Sequence, residues 1–250
     1  MWYEYLFFVC TGFLGNFVGT MVGGGALITL PAMMLFGVPV HTGIGVNKFA
    51  TIVTGCANSW RLITEKRISK YNFLFTAILG FTGGLTGALI TANTDAKILN
   101  WFVIILLTFS LAISFMKAPK KTSSDPQEDS LRRFSPRTKL IVFGISIYNG
   151  GFGPGAGTLS IMTLLRRGYP YIGAVHHTWL LIATGCLGAF GIFLQHGFIN
   201  WHYAIPLSIG GIIGAQAGFL ALPYVPQRAV RVGLAVVSLL LIIQTFFKVI

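Results

Sequence analysis

Lys48 is the only lysine or arginine embedded in an apolar stretch, in the run GVNKFA (45–50), with Asn47 beside it. An ionisable side chain in apolar sequence is a functional-site candidate, here an ammonium suited to an anion. The competing reading is a lysine that snorkels to the nearest polar surface. Two glycine-rich breaks could serve the same chemistry: Gly23-Gly24-Gly25, and Gly153-Pro154-Gly155-Ala156-Gly157. A helix that starts at such a break exposes unpaired N–H groups and the positive end of its dipole, an arrangement that attracts oxyanions. Ala26 and Thr158 are expected to begin those helices. Asn16, Asn47, Asn149 and Thr178 add neutral donors, which bind an oxyanion without holding it too tightly to release. Of the adjacent His176 and His177, which point about 100° apart on a helix, one could face the same site. Histidine titrates near neutrality, so it could add charge or carry a proton; His177 is the candidate carried forward. None of the six acids lies deep in an apolar segment, which argues against a cation site or a carboxylate proton relay. There is no H-E-x-x-H, G-x-S-x-G or P-loop motif and no cysteine/histidine cluster, so no catalytic residue, metal or cofactor is expected.

These residues must be positioned by helices in a membrane. The chain has 250 residues, 54% hydrophobic and only 10% charged, with a mean hydropathy of +0.75. A typical globular protein is about 25% charged. Apolar segments fall at 5–21, 26–36, 44–63, 72–92 and 99–116, and again at 140–153, 158–165, 174–195, 203–222 and 229–247. Several reach the roughly 20 residues a span needs. The first lacks a basic start and a cleavage site and reads as a retained helix. Cys10, Cys56 and Cys186 all fall inside apolar segments and read as small buried core residues. His41, His196 and His202 lie at segment ends, and Trp2, Trp101 and Trp201 read as interfacial anchors.

Residues 117–139 form a polar, basic linker between a first repeat (1–116) and a second (140–250). With an offset near 131, Gly37 falls on Gly168, Ile68 on Ile199, and Gly80, Gly83 and Gly87 on Gly211, Gly214 and Gly218. Close helix packing accounts for those last glycines. Five apolar segments per half is an odd number, so a tandem copy lies inverted. One orientation puts 15 of the 18 basic residues on a single side, which is the cytoplasmic side by the positive-inside rule. Both termini are then non-cytoplasmic, the linker is cytoplasmic, and the positive net charge of +12 is topological, so nucleic acid is not a partner. Segments 140–153 and 158–165 rise only about 21 and 12 Å, short of the roughly 30 Å core. A glycine-broken hairpin in each half follows, with re-entrant and fully spanning forms left open. The expected fold is an all-α integral membrane protein: two inverted repeats, each a broken hairpin plus about three transmembrane helices.

The chain resembles the TauE/SafE family of sulfite and organosulfonate exporters. The residues that carry the likeness are GGGALITLPAMMLFG (23–37) with GVNKFA (45–50), then YNGGFGPGAGT (148–158) and AVHHT (174–178). Departures from the family pattern fall at Asn149, Trp179 and Ile182, where members often carry Asp, Lys and Asn; they bear on substrate and coupling. The resemblance implies a secondary transporter in the cell inner membrane that exports a small sulfur-containing oxyanion, sulfite first. An organosulfonate such as sulfoacetate, or passive conduction of anions, is the alternative. Expected partners are the small anion and the lipid bilayer, with a homodimer as an open assembly.

Overall fold

A helix built for water carries its polar residues outward. Here the order is reversed. Along α9 (Trp201–Ala221), Ile205, Ile209 and Ile213 are about half exposed at a spacing of four, while Gly210, Gly214 and Gly218 turn inward. Leu74, Ile78 and Ile90 form a similar outward set on α4 (Lys70–Ala92). Among the described residues, three helices are long and apolar enough to cross a bilayer: Asn72–Ala92, Gly173–Gln195 and Trp201–Ala221. In such helices the hydroxyls have no water to bond. Thr51, Thr82, Thr86, Thr184 and Ser208 instead donate to the carbonyl four residues back.

The computed structural model describes residues 2–22, 25–64, 70–114, 135–169 and 171–221, with 224 and 239. Among the described residues the fold is all-helical. The remaining helices are α1 (Trp2–Val22), α2 (Ala26–Leu35), α3 (Val40–Thr64), α5 (Ala96–Ser114), α6 (Pro136–Gly151), α7 (Ala156–Arg166) and α8 (Tyr171–Gln195). Segment 229–247, most of the linker, and Gly23 and Gly24 lie outside the described residues.

Small residues decide which helices meet. A Cβ on Gly214 would overlap the Phe13 carbonyl and one on Gly210 the Val9 carbonyl, so α9 lies backbone to backbone on α1. A Cβ on Gly87 would overlap the Ile147 carbonyl, and one on Gly83 would sit 2.7 Å from Ser146 Cβ, so α4 lies on α6 in the same way. On the α4–α8 seam glycine faces glycine: Gly84 meets the Gly185 backbone with no side chain between. The helix pairs are reciprocal: α1 on α9 matches α6 on α4, α3 on α9 matches α8 on α4, and α3 meets α8.

The short helices end alike. After α2, Gly37 takes φ +98° and Val38 N–H bonds Met33 C=O at 3.0 Å. After α7, Gly168 takes φ +82° and Tyr169 N–H bonds Leu164 C=O at 3.1 Å. Both are left-handed glycine caps that satisfy the last carbonyls. At 10 and 11 residues, α2 and α7 rise only about 15 and 17 Å, as the broken segments predict. Two expectations need correction. α7 starts at Ala156, two residues before Thr158, because Gly155 at φ +74° provides its N-cap. Cys10 and Cys56 are exposed on outward faces rather than buried; only Cys186 is interior.

Candidate functional site

Lys48 sits on α3, whose first turn begins at Val40, so the lysine lies two turns inside the helix. That placement, one turn deeper than the apolar segment implied, prevents snorkelling: the side chain is 1% exposed. Its ammonium donates to the carbonyl of Asn149 near the end of α6. Carbonyls in the last turn of a helix are orphaned and carry the negative end of the dipole, so Lys48 caps α6 from another helix. The chain closes tightly there. A Cβ on Gly153 (φ +96°) would lie 3.0 Å from Lys48 Nζ, and Tyr148 Oη pins the break by donating to Pro154 C=O at 2.5 Å. Only glycine leaves room for both the turn and the ammonium at this position.

Around Lys48 is a cavity of about 80 Å³. Both glycine breaks border it, through Gly25 from the first and through Gly153 and Gly157 from the second. Asn47, Lys48 and Thr51 form one face of α3 toward it, at helical spacing. Val175, Thr178, Trp179, Ile182 and Cys186 form the matching face of α8. Two hydrogen bonds tie the short helices to these long ones: Thr29 Oγ1 donates to Asn47 Oδ1 at 2.8 Å, and Thr178 Oγ1 donates to Ser160 Oγ at 2.9 Å. Each links residues 18 apart, and the second pair lies 131 residues after the first. Because Asn47 spends its oxygen on Thr29, its amide N–H groups remain as donors beside Lys48. Asn149 turns its own amide toward Ile182 C=O at 3.3 Å and Cys186 Sγ at 3.9 Å.

Neither described acid reaches Lys48. Glu4 bonds His202 Nε2 at 3.1 Å at the far end of the α1–α9 seam, and Asp95 accepts from the Lys97 N–H at 2.8 Å at the start of α5. A buried ammonium whose named acceptor is a neutral carbonyl has no counter-charge among the described residues. Burying such a charge is expensive, and an anion entering the cavity would compensate it.

The sequence matches the model of the family described as Sulfite exporter TauE/SafE over residues 8–245. The chain belongs to the TauE/SafE family. Relatives include a "Probable membrane transporter protein" of Haemophilus influenzae, 28% identical over 84% of this chain and 81% of its own length. A "Probable membrane transporter protein ORF9" of a Sinorhizobium species is 28% identical over 95% of this chain and 90% of its own. "Probable membrane transporter protein YfcA" of Escherichia coli K12 is 28% identical over 93% and 85%. No solved structure gives a significant match. As a TauE/SafE member the chain is a membrane transporter, in keeping with its outward apolar faces.

In this TauE/SafE chain the cavity gathers Asn16, Gly25, Asn47, Lys48, Asn149 and Gly153, together with Gly157 and Thr178. Gly155 and Thr158 stand back from it: they shape and begin α7 without lining the space. His177 departs from expectation. It is buried toward α4, with Nδ1 3.3 Å from Thr76 Oγ1 and its ring edge-on to Tyr169 at 6.1 Å. One residue along α8 rotates the side chain by about 100°, so Thr178 takes the cavity and His177 the helix seam. Sequence reasoning missed Thr29, Thr51, Ile161 and Cys186. Thr51 and Cys186 follow Lys48 and Thr178 at helical spacing, and Thr29 and Ile161 follow Gly25 and Gly157 by four residues, the signal that could have found them.

Proposed function

We propose that this chain is a secondary transporter of the cell inner membrane that exports a small sulfur-containing oxyanion, sulfite first, and binds it at Lys48 between the two glycine breaks. One observation carries the reading: a fully buried ammonium, without a carboxylate partner among the described residues, in a cavity bordered by both breaks. The donors around it are neutral, so an oxyanion would be held by one charge and several N–H and O–H groups, firmly enough to bind and weakly enough to leave. The reciprocal helix pairs, the equivalent Gly37 and Gly168 caps and the 131-residue shift of the Thr29 and Thr178 bonds support two copies of one unit. With an odd number of segments per copy, the second is inverted and the cavity falls on the pseudo-twofold between them, the usual place for a transporter site. The basic residues then put the linker in the cytoplasm and both termini outside. A mass measurement in detergent separates monomer from homodimer.

The test is thermal stabilisation of the purified protein by sulfite, sulfate, thiosulfate, phosphate and chloride, followed by sulfite flux in proteoliposomes. Selective stabilisation by a sulfur oxyanion, with flux that an imposed proton gradient reverses, supports the reading. Flux indifferent to that gradient makes the protein a passive anion channel. The absence of stabilisation by any of these anions refutes the site.

A further inference from the structure

His177 and Thr76 face each other across the α4–α8 seam, each the seventh residue of its helix. Nδ1 of the ring lies 3.3 Å from Thr76 Oγ1, and the Tyr169 ring meets it edge-on at 6.1 Å. None of the three is more than 4% exposed. The matching seam, α3 on α9, is built here from hydrocarbon. The residues 131 positions away from His177, Thr76 and Tyr169 are Val46, Leu207 and Val38, all buried in one apolar cluster. Burying polar groups is costly, and the apolar copy packs without them, so packing does not account for an imidazole at this place. Position adds a second observation. The ring stands level with the cavity's edge, because Val175 and Thr178, two residues before it and one after, line that space. It is also near the end of the molecule where α4 begins at Lys70 and α7 ends at Arg166, the cytoplasmic end on the proposed topology. Among the described residues, the titratable groups beside it are His176 on its own helix and the Tyr169 phenol. From α4 come Thr76 and, one turn earlier, the neutral Asn72.

We propose that His177 is a proton-binding residue through which cytoplasmic pH governs the loading of the cavity. The α4–α8 seam parts beside the ring when the cavity opens to the cytoplasm, and the ring is hydrated there. A histidine in water gains and loses a proton near neutrality. Its charged form costs less wet than dry, so the proton favours the parted seam, and acidification of the cytoplasm speeds loading. The matching seam has valine and leucine at these three places, so opening to the other side does not respond to pH through this contact. This rests on the transporter reading and adds its regulation.

The experiment measures initial rates of sulfite uptake in inside-out and right-side-out membrane vesicles carrying the full chain, with the bath at pH 7.5 or 6. Each rate is divided by that of His177→Gln, which keeps a hydrogen-bonding group for Thr76 and cannot be charged. The ratio cancels sulfite's own protonation and the pull of the gradient. Inside-out vesicles turn the cytoplasmic face to the bath. A hydrated histidine titrates at about 6.5, so in these vesicles the ratio should rise by up to about fourfold on acidification. In right-side-out vesicles it should stay constant. His177→Asn serves where the glutamine variant does not fold. A ratio constant in both orientations overturns the proton site and leaves the transporter reading intact. A ratio that rises equally in both overturns the one-sided seam, and the proposal with it. If vesicles of neither orientation move sulfite, the transporter reading fails for sulfite, and the regulation of its loading fails too.

Discussion

Lys48→Met separates what the ammonium does for the fold from what it does for the ligand, because the two effects differ in kind. Methionine is close in length and apolar, so it fills the same buried space. Replacing even a buried ion pair with apolar chains of similar volume is often neutral or stabilising by about 1–4 kcal/mol, and a lone buried charge should gain no less. Against that, the Asn149 carbonyl loses the donor it now has, at a cost of about 1–3 kcal/mol. The two nearly cancel, and the ligand-free protein should melt within a few degrees of wild type. Binding is different. Of the three ammonium protons one goes to Asn149, which leaves two for an oxyanion at about 1.5–3 kcal/mol each. Their loss removes roughly 3–6 kcal/mol, or about 10²–10⁴ in Kd. At a ligand concentration of 100 Kd the wild type gains about 2.7 kcal/mol, a rise of about 5–10 °C for a chain of this size. In Lys48→Met the same concentration gives at most about 0.4 kcal/mol, a degree or so. Differential scanning fluorimetry with and without the anion reads both numbers. A variant that keeps most of the ligand-induced shift, or one that unfolds without ligand, refutes the assignment.

Four further outcomes follow from the same geometry. Gly87→Val drives a side chain into the Ile147 backbone and should cost at least about 1–3 kcal/mol. Gly191→Ala, with open space around it, should be neutral or stabilising by up to about 1 kcal/mol in the same melting assay. Gly155→Ala places a side chain at φ +74°, where L-residues lose about 1–2 kcal/mol; thermal melts should show that loss while the cavity lining stays intact. His177→Ala should lower stability by about 1–3 kcal/mol through the lost contact with Thr76. Its anion affinity, measured by calorimetry, should stay at the wild-type value, because the ring lies outside the cavity.

Much of the architecture was legible because in this chain glycine is where helices touch. Of the repeated Gly80, Gly83 and Gly87 and Gly211, Gly214 and Gly218, Gly87, Gly214 and Gly218 press on a neighbouring helix's carbonyl, while Gly80, Gly83 and Gly211 make room for Thr184, Ser146 and Asn16. Lys48 was legible for the opposite reason, as the one lysine or arginine embedded in an apolar stretch. What stayed hidden depends on rotation about a helix axis. His177 and Thr178 differ by about 100°, and only the packing of α8 on α4 decides which of them reaches the cavity. Thr29 was hidden because its role is a bond between two helices. Cys186 was read correctly as interior, yet interior here means the edge of the cavity, beside the Asn149 amide.

The likeness of the halves and their difference fall on separate sets of residues, and that separation has a consequence. Caps, glycine seams and the bonds from short helix to long helix are matched between the halves. On the proposed reading of two inverted copies, exchange between outward- and inward-open states has each half take the other's place in the packing, so matched contacts are what that reading requires. Lys48 against Trp179 and Thr51 against Ile182 are not matched, and all four border the cavity. Substitutions at 179 and 182 therefore alter the cavity lining without replacing a glycine of the seams. Gly84 and Gly185, which touch backbone to backbone, have no such freedom.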